Sequence, residues 1–232
     1  KVVPSKDEQQ LENNENAIYW TWPKVLRDGK AFLFMLTNAY LPFALTGLFF
    51  QQGALAEMKE WSMQTIANAF IAFSACNILG NLLFGNLVDK FGARHLLPLI
   101  ALPLIFSLSF LMLLETWWAS FLYLGLLGVG MGASVIIKSS FYAEVYGLKS
   151  LGRLKGMDSS VTVVATSLAP FLYGWLLDHG YSMANVIYSL LILGFFALVS
   201  YFFLSWGHHQ EARQWFSHHS QNTQRREHSS TK

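Results

Sequence analysis

Charge is what this sequence most lacks. Only 13% of its 232 residues are Asp, Glu, Lys or Arg, against about a quarter in a soluble domain. The shortage is concentrated: residues 31–56, 61–88, 95–114, 116–137, 159–177 and 179–210 contain none of the four. Each run reaches or approaches the ~20 residues that a helix needs to cross ~30 Å of hydrocarbon. Together they predict six spanning helices. Cysteine is nearly missing too: Cys76 stands alone, which excludes an intrachain disulfide and leaves the redox compartment unread. The opening "KVVPSKDEQQLENNEN" lacks the apolar stretch of a signal peptide and has no initiating methionine, so either a longer parent chain or a processed product is expected. The expected spans hold no pair of acids and no histidine, His95 and His179 lying at loops, so the convergent groups of a membrane-embedded enzyme are missing. Neither an enzyme nor a cofactor is expected. His208, His209, His218 and His219 form adjacent pairs whose spacing matches no standard zinc site, and no metal is expected either.

The charges that remain are informative by position. A net charge of +2 is too small to suggest nucleic acid as a partner. Six spans put both ends on one side. Every Lys and Arg of the loops and tails falls on that side except Lys59, which lies across the bilayer with Glu57, Glu60, Glu115 and Asp178. The positive-inside rule places both ends in the cytoplasm, with the plasma membrane, the inner membrane in a bacterium, as the expected location. The expected division is a cytoplasmic linker over 1–29, a six-helix bundle over 30–206 and a cytoplasmic, partly disordered tail over 207–232. Spans are expected at about 30–52, 64–88, 94–115, 118–146 and 182–206, and the fifth starts at or before Asp158, a candidate N-cap, and ends at 178–180. Pro42 and Pro170 interrupt two of them, where freed carbonyls need neighbours. Gly128, Gly130 and Gly132 have no strand before them, which fails the dinucleotide fingerprint and leaves helix packing through Gly128 and Gly132.

One turn concentrates charge. Gly85-Asn-Leu-Val-Asp89-Lys90-Phe-Gly92-Ala-Arg94 joins the second and third spans. Gly85 would let helices come close. Asp89 would meet the positive N-terminus of a neighbouring helix or a basic residue, and Lys90 and Arg94 would anchor the turn in the cytoplasm. Such contacts break and reform cheaply, as a gate between rigid bundles requires; a plain topology-setting turn is the alternative. The turn resembles the loop signature of the major facilitator superfamily, with Ala93 and His95 where that family often has basic residues. The family carries the signature between its second and third helices and often again between its eighth and ninth. The later stretch "FYAEVYGLKSLGRLKGMDSSVTVVATSLAPFLYGWLLDHGYS" is similar to the family's tenth-to-eleventh-helix region, through Tyr146, Gly147, Leu151, Gly152, Gly156, Pro170, Gly174, Asp178 and Gly180. The resemblance implies an all-α membrane protein whose six spans are helices seven to twelve of a twelve-helix bundle, with an N-terminal six-helix half as its missing partner. It also implies a secondary active transporter, symporter or antiporter, moving small molecules by alternating access. A non-transporting sensor or assembly protein on the same fold is the alternative.

Inside the spans one charge stands out. Lys138 lies eight residues before Tyr146, ~12 Å inside the helix end. An ammonium there needs water, a partner or a substrate. Ser134 and Tyr142 share its face. Two readings stand level: Lys138 attracts an anionic substrate such as a small carboxylate, or it snorkels to the headgroups or pairs with Glu144. Asn38 and Thr46 on the first span, and Asn77 and Asn81 on the second, offer further polar stripes for substrate or for gluing helices together. No acid lies near the middle of an expected span, so proton coupling would draw its carboxylate from the other half.

Overall fold

The computed structural model describes residues 22–230, with side chains described for 23–147 and 151–206. The expectations that rest on residues 1–21 and on the tail side chains, the four tail histidines among them, lie outside the described residues. The chain forms α1 (Trp22–Arg27), α2 (Gly29–Phe50), α3 (Gln52–Lys59), α4 (Met63–Phe91) and α5 (Ala93–Leu96). A 3₁₀ turn at Leu97–Ile100 leads from α5 into α6 (Leu102–Leu113), followed by α7 (Ala119–Tyr146), α8 (Leu148–Asp178) and α9 (Met183–Ser230). Six segments are long and apolar enough to cross a membrane: α2, α4, the α5–α6 unit over 93–113, α7, residues 151–178 of α8 and residues 183–206 of α9. No strand occurs among the described residues.

Local chemistry sets the boundaries. Asp28 caps α2, accepting from the backbone N–H groups of Lys30 at 3.1 Å and Ala31 at 3.2 Å, and Ser62 caps α4 by accepting from Thr65 N–H at 3.1 Å. Gly92 and Gly147 end α4 and α7 at φ +78° and +77°, the left-handed region that glycine enters without steric cost. Pro98 and Pro103 fall in the first turns of the 3₁₀ segment and of α6, where no intrahelical donor is lost.

Three features depart from the expected layout. The short helices α1 and α3 flank the first span. α3 turns Gln52, Leu55, Ala56 and Lys59 inward. α8 begins at Leu148, before Asp158 as one of the expected starts allowed, so Asp158 is an interior helical residue and not a cap. Gly147 makes the break instead, because only a residue tolerant of positive φ fits there. α9 continues in helical form past Trp206 to Ser230, through residues expected to be a partly disordered tail.

The closest packing joins α4 to α7 and α2 to α8; α5–α6 lies against α7, and α9 against α2 and α5–α6. Exchanging spans one to three with four to six maps these pairings onto one another, as in a bundle built from two three-helix repeats. Glycines make the α4–α7 contact possible. A Cβ on Gly132 would lie 2.6 Å from the Asn77 carbonyl oxygen and 2.7 Å from the Asn81 nitrogen, and one on Gly128 would strike the Phe73 carbonyl. Gly80 reciprocates on α4, 3.0 Å from the Val129 carbonyl. Small-residue packing is therefore the role of Gly128 and Gly132. The result is uneven enclosure: the apolar windows of α2 and α7 are 56% and 61% buried, those of α4 and α8 only 17% and 11%. α4 and α8 thus present the broadest open faces of the six-helix unit.

Candidate functional site

Asp158 is the centre of the polar interior. α8 carries it inward until only 2% of its side chain is exposed. On α7, Lys138 and Tyr142 are four residues apart and so share a face. Lys138 Nζ lies 3.0 Å from Asp158 Oδ2, and the Tyr142 hydroxyl donates to Oδ1 at 3.0 Å. From α2, Asn38 Nδ2 donates to the same Oδ1 at 3.3 Å. Asn38 Oδ1 in turn accepts from the Tyr201 hydroxyl of α9 at 2.9 Å. The first, fourth, fifth and sixth spans therefore meet in one network.

Aromatic packing insulates it. The Phe34 ring lies 4.2 Å from Phe141, 5.0 Å from Tyr142 and 6.4 Å from Tyr201, centroid to centroid. Such surroundings strengthen each polar contact and raise the cost of leaving one unmade. The two charges are not equally enclosed: the Lys138 side chain is 21% exposed. Lys138 is thus partly accessible, while Asp158 is enclosed.

This arrangement corrects one expectation: Lys138 is neither a lone cation nor the partner of Glu144; it pairs with Asp158. A carboxylate does lie inside the fifth span, but toward its start and not at its middle. The pairing had a trace in the sequence. Lys138 precedes Gly147 by nine residues and Asp158 follows it by eleven, so an antiparallel pair of helices sets them at comparable depth, roughly 13–17 Å from the turn at 1.5 Å per residue.

Of the other candidates, Asn38 and Tyr142 join the network, and Ser134 lies one turn from Lys138, buried but outside it. Thr46 is half-buried elsewhere on α2. Asn77 and Asn81 belong to the α4–α7 contact: Asn81 Nδ2 donates to the Asn77 carbonyl at 2.9 Å and to its Oδ1 at 3.0 Å, and Gly132 packs against the backbone of both.

The charged turn is held by a residue sequence reasoning assigned elsewhere. Glu144 Oε1 accepts from the Ala93 backbone N–H at 2.7 Å, Oε2 lies 4.0 Å from Arg94 Nε, and Arg94 Nη2 donates to the Glu144 carbonyl at 3.3 Å. A carboxylate from the end of α7 thus caps the start of α5 and meets the positive end of that helix. Gly92 faces the same carboxylate, 3.7 Å from where its Cβ would be. Gly85 differs from expectation: a Cβ there would meet nothing within 4 Å, so it mediates no close approach within these six spans. Asp89 and Lys90 are exposed on the last turn of α4, and Asp89 has no hydrogen-bond or ion-pair partner among the described residues.

At the opposite end of the bundle, Lys59 Nζ donates to Glu115 Oε1 at 2.9 Å and to the Leu114 carbonyl at 3.2 Å, tying α3 to the turn before α7. Among the described residues, no group of three or more His, Cys, Asp or Glu side chains gathers in a way that could hold a metal ion. Comparison with known families matches residues 31–225 to the one described as Major Facilitator Superfamily. Among curated proteins no sequence matches the chain.

Proposed function

Because the chain belongs to the Major Facilitator Superfamily, a family of membrane transporters, we propose that it is the C-terminal six-helix half of a secondary active transporter that moves small organic anions by alternating access. On this reading residues 1–29 are the linker from the N-terminal half, 30–206 the membrane unit and 207–232 a tail. Both ends lie on the cytoplasmic side of the plasma membrane. The observation that carries the proposal is the network around Lys138 and Asp158. It joins α2, from the first three-helix repeat, to α7, α8 and α9 from the second. Movement of one repeat against the other must rearrange it, which is what alternating access requires of a site at a repeat interface. The Lys138 side chain, 21% exposed, carries a point charge suited to a carboxylate.

The C-terminal assignment rests on the glycine breaks that bound α8: Gly147 at φ +77° and Gly180 at φ +83° fall where the resemblance to the tenth and eleventh helices puts them. The orientation rests on Lys90, Arg94, Arg153 and Lys155 at one end of the spans and Lys59 at the other. Gly85 and Asp89, one turn apart and directed away from the six-helix unit, form the gating contact with the N-terminal half. Uptake into vesicles containing the full-length protein tests the proposal with a panel of labelled carboxylates, neutral solutes and cations. Saturable carboxylate flux that is lost in Lys138→Ala is expected. Flux of neutral or cationic solutes alone would refute the anion assignment. Absence of any flux would favour a non-transporting sensor.

A further inference from the structure

We infer that Tyr173 has two seats at the outer end of the bundle: one on Gly47, and a second in which its hydroxyl bonds to Gln52. The inference rests on the alternating-access reading above and goes beyond it, to a contact that tells the two states of this end apart.

Two complementary hydrogen-bonding groups stand unpaired around the last turn of α2. Gln52 opens α3 and is 6% exposed. Its Nε2 donates to the Leu48 carbonyl at 3.2 Å and to the Tyr123 hydroxyl at 3.4 Å. A carbonyl only accepts, so Leu48 fixes which end of the amide faces it. Gln52 Oε1 is then left without a hydrogen-bond partner among the described residues. Tyr173 of α8 is 3% exposed, and its hydroxyl likewise has no partner among them. One group accepts and the other can donate. Buried and unpaired, each bears its full desolvation cost. The Tyr173 ring sits where a Cβ on Gly47 would strike it, edge-on to Phe43 with centroids 5.5 Å apart. Gln52 is bonded to the very next residue, Leu48.

The two groups belong to parts that move against each other. α2 and α3 lie in the first three-helix repeat and α8 in the second, so sliding of the repeats carries Tyr173 along the last turn of α2. Gln51 breaks the chain between α2 and α3, and its amide nitrogen lies 3.7 Å from where a Cβ on Gly174 would be. The residue after Tyr173 therefore already faces the break at which Gln52 stands. On Gly47 the ring packs closely and its hydroxyl goes unpaired; at Gln52 it gives up that seat and makes the bond. These opposing terms hold the two arrangements close in free energy, and packed interfaces switch between discrete arrangements rather than deform smoothly. The contact is separate from the network at Asp158, which lies fifteen residues earlier on α8, ~22 Å at 1.5 Å per residue.

The test reads positions and not transport, in the full-length protein in lipid nanodiscs with its native cysteines replaced by alanine. Nitroxides on Gly53→Cys and Asp178→Cys, both exposed at the outer ends of α3 and α8, report their separation by electron double resonance. Two distance populations are expected. Gly47→Ala fills the first seat and should enrich one of them, which marks the second seat. Tyr173→Phe removes the hydroxyl alone and should deplete that same population about fivefold, the weight of one net hydrogen bond. Gln52→Met should deplete it as well, and the double variant should go no further than Tyr173→Phe. A merely destabilising role would not give opposite signs at Gly47 and Tyr173. Populations that Tyr173→Phe leaves unmoved, or moves in the same direction as Gly47→Ala, overturn the inference and leave alternating access standing. Full additivity of Tyr173→Phe and Gln52→Met overturns it as well. A single population in the protein without these substitutions, whatever solute is added, removes alternating access at this end and the inference with it. Should Gln52→Met fail to fold, the signs of the other two variants decide.

Discussion

Neutralising the two ends of the Lys138–Asp158 pair separately should reveal unequal costs. Asp158→Asn keeps an oxygen for Tyr142 and Asn38 to donate to, and leaves an ammonium whose side chain is 21% exposed. That ammonium regains part of its hydration. Lys138→Met keeps the stem but strands a carboxylate that is only 2% exposed, with Tyr142 and Asn38 as its remaining donors. Removing one partner of a buried pair costs ~3–5 kcal/mol. The direct attraction at 3.0 Å, ~5 kcal/mol at an effective dielectric of 20, sets the same scale. We expect about 3 kcal/mol for Asp158→Asn and about 5 kcal/mol for Lys138→Met by that range. The double substitution should be milder than Lys138→Met, because it strands neither charge. The measurement is equilibrium unfolding of the purified protein in mixed micelles with rising SDS content, followed by circular dichroism and closed as a double-mutant cycle. A coupling energy below ~0.5 kcal/mol, or a cost for Asp158→Asn that matches or exceeds that of Lys138→Met, would refute the reasoning.

Two further outcomes follow from the packing. Gly132→Ala places a methyl group 2.6 Å from the Asn77 carbonyl oxygen, a backbone atom that yields only if α4 and α7 part, at a cost of ~1–3 kcal/mol or more. Gly85→Ala enters open space and should shift stability by less than ~1 kcal/mol; equal costs in the same unfolding assay would discredit the glycine contact. Glu144→Ala removes the acceptor for Ala93 N–H and should cost ~1–2 kcal/mol, with faster hydrogen exchange at the amides of Ala93 and its neighbours. Unchanged exchange there would show that Glu144 does not hold the turn.

The spans were legible because the bilayer imposes a length: a run such as 116–137, free of charge and with two tryptophans at its start, has few other physical uses. α1 and α3 were not, because six or eight residues give too few turns for a period to show. Lys138, Tyr142 and Asn38 could be named as polar groups in apolar surroundings. Asp158 was misread because it sits three residues after Lys155 at the edge of a charge-free run, where an acid looks like a helix boundary. Only the antiparallel packing of α7 and α8, set by a single positive-φ glycine, turns that edge position into an interior one. Glu144 was hidden for a related reason. Its partners Ala93 and Arg94 lie about fifty residues away, and no spacing rule connects them.

Gly147 is also the whole of the connection between α7 and α8. A lysine or aspartate entering the middle of a bilayer on its own helix costs ~2.5–3.5 kcal/mol at the translocon. With one residue between α7 and α8, the fourth and fifth spans are expected to enter the membrane as a single hairpin. Lys138 and Asp158 then reach the hydrocarbon already side by side, and the membrane receives a dipole instead of two ions. The shortness of the turn is in this sense a provision for biosynthesis: it lets a chain carry a buried charge pair into lipid without ever inserting either charge alone.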